Sequence, residues 1–71
     1  MYIVIELQKN EDGAITNIVT EHETKELAES KYHTILSFAA VSEMPVHSAV
    51  ILSEEGFCVA SKCYKHGHTE G

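Results

Sequence analysis

The chain has no arginine, and its five lysines, Lys9, Lys25, Lys31, Lys62 and Lys65, stand against eleven acidic residues for a net charge of minus six. Duplex nucleic acids are held by clustered cations that neutralise phosphates, so this balance argues against a DNA- or RNA-duplex binder. One small anionic ligand needs only a few local donors and stays open. Long apolar runs are lacking too, since nothing approaches the roughly 18 to 20 residues of a membrane span. The opening segment, MYIVIELQKNEDG, lacks the basic head and small-residue cleavage site of a signal peptide. These absences predict a cytoplasmic protein with no membrane contact, in which Cys58 and Cys63 are reduced thiols.

The motifs of catalysis are missing as well. There is no glycine-rich phosphate loop, no nucleophile elbow and no HExxH helix. Most carboxylates fall on expected turns and on the wet side of the expected helix, where a charge run is a solvated face. Glu6, on a strand, is the one carboxylate placed to be enclosed, and a single residue does not make an active site. The reading is therefore a non-enzymatic protein without a cofactor.

What remains is a chain of 71 residues, 44% hydrophobic and 23% charged, an ordinary globular balance. A chain this short buries only about 60% of the surface its unfolded form exposes, which allows one domain and one thin core. Residues 1–65 are assigned to that domain, and residues 66–71, HGHTEG, to a flexible polar tail.

Residues 2–8, rich in β-branched side chains, read as a strand. The turn KNEDG at residues 9–13 returns the chain into a second strand over 14–20. Thr20 followed by Glu23, or Thr24 itself, caps a helix beginning near 21–25. Apolar residues at 27, 28, 32, 35, 36 and 39 mark its inner face, with Phe38 at the margin. The helix should stop near Ser42, because Pro45 holds Met44 extended and cannot continue the hydrogen-bond ladder. Residues 46–53 and 57–65 flank Glu54-Glu55-Gly56 as a second hairpin. The order β-β-α-β-β predicts an α+β domain, a four-stranded antiparallel sheet with one helix across one face. The first and third strands hold the densest apolar runs and so should be central, giving the order 2-1-3-4 over its rival 1-2-4-3.

A lone helix covers one side of a sheet, yet neither side reads as plainly polar. Contiguous apolar surface on a soluble chain marks an interaction site. A homo-oligomer is therefore expected, with Tyr2, Val4, Ala49, Ile51 and Tyr64 on the interface. The plainer alternative is that these are scattered surface hydrophobes.

Within the helix, Tyr32 falls inside the apolar arc, His33 outside it and Lys31 at its edge. Lys31 fits a side chain whose stem packs while its ammonium reaches water. The functional alternative makes Lys31, Tyr32 and His47 the lining of a shallow anion pocket completed by a neighbouring subunit, with His33 and Lys62 as further ligand contacts. Cys58, Cys63, His66 and His68 offer soft-metal donors, but CxxC and HxxxH spacings are absent. Cysteines five apart on a strand point to opposite faces, so no metal site is assigned.

The strings YIVIELQ, AESKYHTIL, AAVS, PVHSAV and CYKH, in that order, resemble a group of short proteins from anaerobic Gram-positive bacteria and from the phages and mobile elements they carry. The likeness runs from Tyr2 to His66. It implies a small, cytosolic, phage-borne setting and carries no catalytic or binding role to any residue. In that setting the expected function is a counter-defence or accessory protein that sequesters a small anionic, nucleotide-like ligand between subunits. The alternative is an acidic inhibitor or adaptor that occupies a host protein.

Overall fold

The β-branched and aromatic side chains at residues 2–5 favour extended backbone. In the structure, a computed structural model describing residues 1–66, Tyr2–Lys9 is strand β1. Asp12 Oδ1 accepts from the Ala14 amide at 2.9 Å in the following turn. Gly13 adopts a φ of +91° there, a conformation that a β-carbon would strain. Ile15–His22 returns as β2. It runs two residues past its expected end, because Glu21 and His22 still find partners in Ile3 and Tyr2.

Lys25–Ala39 is helix α1. Of the two expected caps the chain uses Thr24, whose extended backbone lets Oγ1 accept from the Leu27 amide at 3.2 Å. The helix ends at Ala39. Beyond it the Val41 and Ser42 amides donate three residues back, to Phe38 and Ala39, in a tightened final turn ahead of Pro45. Val46–Ser53 forms β3 and Cys58–Lys65 forms β4. Ile51 faces Ala60 while Leu52 faces Cys58, so Val59 is the extra residue of a bulge.

The sheet has the order β2-β1-β3-β4, with every neighbouring pair antiparallel, and α1 packs on one side of it. This is the expected α+β architecture. β2 and β3 both run opposite to β1, so they are parallel to each other, and α1 is the crossover joining them above β1.

The core lies between α1 and the even-numbered side of β1. Val4, Ala49 and Ile51 rise from the sheet to meet Ala28, Tyr32 and Ile35 of the helix. Val4 and Ile51 are fully enclosed, and Ala49 is 2% exposed. Alanines at 28 and 49 let the helix backbone sit close, which suits the dense packing of a small core.

This overturns one expectation. Tyr2, Val4, Ala49, Ile51 and Tyr64 do not form an open face, because they share the side that α1 covers. Val4, Ala49 and Ile51 are core, and Tyr2 packs against it. The uncovered side is the other set, with Ile3, Ile5 and Leu7 of β1 beside Val46, Val50 and Leu52 of β3. His66, assigned to the tail, is instead bonded to the domain. His66 donates its amide to the Pro45 carbonyl at 2.9 Å and its Nε2–H to the Ala39 carbonyl at 2.7 Å, so it is tied to both layers. The rest of the expected tail, residues 67–71, lies outside the described residues. Among the described residues no helix is long and apolar enough to cross a membrane.

Candidate functional site

Two arrangements of chemistry-bearing side chains emerge, one on each side of the sheet. Beneath the helix, Glu6 of β1 receives two hydrogen bonds on the same oxygen. The His47 Nε2–H donates to Oε2 at 2.7 Å, and Gln8 Nε2 donates to it at 2.8 Å. The paired side chains of His47 and Glu6 are only 6% and 14% exposed. Burial pushes the Glu6 carboxyl up. The hydrogen bonds from His47 and Gln8, with the charges of His47 and Lys31, outweigh that and hold it below the ordinary carboxylate value.

The five residues expected to bind an anion do not converge on one pocket. Tyr32 is core, and its phenol is raised above the ordinary value, chiefly by burial and further by Cys58 and Tyr64. His47 is buried and committed to Glu6. Lys31 is half-buried at the helix margin, where its charge acts on Glu6 rather than on open space. His33 is exposed on the helix, its ring edge-on to Tyr32. Lys62 sits on the outer strand β4, its Nζ 5.4 Å from the Tyr64 ring, which in turn stacks on His66. The physical reason is the covered side itself. Once α1 lies over His47 and Ala49, the space in which an anion was expected is filled with side chains.

The second arrangement is on the uncovered side. A hollow of about 480 Å³ lies among Leu7, Ser48, Val50, Ser61 and Cys63, with Ala49 and Lys62, whose side chains belong to the covered side, bordering it between them. It exists because the small side chains of Ser48, Ser61 and Cys63 lie next to one another on β3 and β4, between the larger Leu7 and Val50. Lys65 shares this face two residues beyond Cys63. Another depression, of about 530 Å³, opens between the first turn and the segment after α1, and carries the carboxylates of Glu11, Asp12 and Glu43.

No protein-family model, curated protein or solved structure matches the chain. The site therefore rests on its own geometry.

Sequence reasoning singled out Glu6 as the enclosed carboxylate but missed its partners. With the order 2-1-3-4 in hand, Gln8 and His47 fall directly opposite each other, one step along from Glu6 on the same side. Sequence reasoning also missed the hollow, whose signal is the small residues at 48, 61 and 63 once those strands are placed side by side.

Proposed function

We propose that the chain is a non-enzymatic cytoplasmic binding protein, working as a homo-oligomer, that retains a small nucleotide-like anion without transforming it. The observation that carries this reading is the hollow on the uncovered sheet face, within the usual 300–1,000 Å³ range of small-molecule sites. A flat base fits against Leu7 and Val50, with the Ser48 and Ser61 hydroxyls meeting its polar edges. A phosphate at the end of such a ligand reaches toward the Lys65 ammonium. Retention without turnover is how a counter-defence protein would disarm a host signalling nucleotide.

Native mass spectrometry of untreated protein, with melting curves across a panel of linear and cyclic nucleotides, tests this reading. The expected result is a retained small mass, or a rise of several degrees with one nucleotide class. Ser61→Leu, which fills the hollow, should abolish that rise while leaving the unliganded melt in place. No retained mass and no response across the panel would remove the reading.

A second reading has its own observation. The depression carrying Glu11, Asp12 and Glu43 suits a basic side chain of a partner protein, as an acidic inhibitor or adaptor requires. Its signature is capture of a partner that weakens steeply with added salt.

A further inference from the structure

Ile5 and Val50 stand side by side at the centre of the uncovered face, flanked by Val19 on β2 and Ser61 on β4. Toward the edges the apolar surface is openly wet, with Val19 55% and Ile15 65% exposed. Four strands of eight residues span roughly 27 by 19 Å, or about 500 Å² of face per copy. Two such faces in contact remove about 1,000 Å², the lower bound of a specific interface.

The charges on this face are sorted by position. Glu21 marks one end of the strands, opposite Ile3. Lys9 and Lys65 mark the other end, on either side of Val46. Beyond the strand ends, the first-turn carboxylates Glu11 and Asp12 border the segment after α1, and Glu54 of the second turn is paired with the Met1 ammonium at 2.9 Å.

From this pattern we infer that a second copy of the chain covers the face, stacked about a two-fold axis that runs across the strands. The inference rests on the homo-oligomer of the proposed function and names its surface. A two-fold axis along the strands would lay lysine end on lysine end and glutamate end on glutamate end. An axis across the strands reverses one copy end for end and sets Glu21 of each over the Lys9 end of the other. Aligned sheets pack about 10 Å apart, a gap that facing Glu and Lys side chains span.

The same axis has a consequence for the hollow. Ser48, Val50, Ser61 and Cys63 lie near the middle of their strands, close to where the axis crosses. The two hollows therefore face each other and close into one chamber with walls from both copies. The ligand site of the proposed function becomes a shared one.

Sedimentation velocity over a wide concentration range tests the inference, with circular dichroism to check the fold. The wild-type chain should dimerise, and Val50→Lys should leave a folded monomer. Should Val50→Lys unfold the chain, Val19→Lys supplies the same readout from a side chain that is already largely exposed. Glu21→Lys should weaken the dimer about tenfold. This substitution moves the net charge from minus six to minus four, which by charge count alone would ease association, so a weakening reports the local pairing. Adding Lys9→Glu should restore the wild-type constant.

A wild-type chain that stays monomeric at every concentration overturns the inference, as does a dimer indifferent to Val19→Lys and Val50→Lys. A Glu21→Lys dimer as tight as wild type overturns the axis. A dimer that behaves as described but binds no nucleotide upholds the interface and removes the ligand reading alone.

Discussion

His47 and Glu6, 41 residues apart in sequence, meet beneath α1 through a 2.7 Å hydrogen bond that crosses from β3 to β1. A carboxylate enclosed in this way depends on its donors, and removing one side leaves the other uncompensated. Glu6→Ala or His47→Ala should therefore cost about 3 kcal/mol. A domain of this length has roughly 4–10 kcal/mol in total, so either change consumes a large share. Replacing both residues together with leucine should cost less than either single change, because no lone polar group is then buried. Urea midpoints of the three variants decide the matter.

The same pair sets an acid limit. The Glu6 carboxyl is held below its ordinary value of 4.5 by the hydrogen bonds and charges that outweigh its burial. Its contribution is therefore complete above that ordinary value and is lost as pH falls through the lower folded one. Glu6→Gln should flatten the acid limb of stability against pH, measured by urea unfolding from neutral pH downward.

Tyr32 sets the opposite limit. Its phenol is raised above the ordinary 10.0, chiefly by burial, so the fold favours the neutral form. That contribution is complete below pH 10 and is lost as pH rises through the folded value. Ultraviolet titration should show one phenolate forming late and only as the fold opens. Tyr32→Phe should abolish that late step.

Adjacent residues of β1 should respond in opposite ways to the same substitution. Val4→Lys places an ammonium in the closed core and should leave no folded protein. Ile5→Lys, one residue on, should keep the circular dichroism spectrum and abolish self-association. Far-ultraviolet spectra with light scattering read both outcomes, and the reverse pattern would mean that the covered side is misassigned.

That contrast also shows what the sequence could reveal. Strand order was legible because Ile3, Val4 and Ile5, and Val50 and Ile51, are apolar on both sides, as central strands are. The helix start was legible to within its two threonine caps. The choice of covered side was harder, since alternation in β1 offers Ile3, Ile5 and Leu7 as readily as Tyr2, Val4 and Glu6. Two physical facts settle it. Parallel strands joined through a helix take the right-handed crossover, which fixes the side on which α1 must lie. Ala28 and Ala49 then permit its close approach. The anion pocket expected at Lys31, Tyr32 and His47 failed for the same reason, because the side on which it was drawn is the filled one.

Thr24 offers a local test of helix capping. Its Oγ1 accepts from the Leu27 amide at 3.2 Å and is exposed, so Thr24→Ala removes one hydrogen bond and little packing. The expected loss is about 1 kcal/mol, with Thr24→Ser close to wild type. Thermal melts of the two variants at equal concentration give the comparison.

The seam between Tyr2–Lys9 and Val46–Ser53 joins two hairpins that are each closed by a short turn. Isolated hairpins zip within microseconds, whereas strands whose partners run from Lys9 with Val46 to Tyr2 with Ser53, 37 to 51 residues apart, must first overcome the entropy of a long chain closure. Acquisition of the native state should therefore wait on that central zipper, and changes along it should slow refolding more than changes at either outer strand.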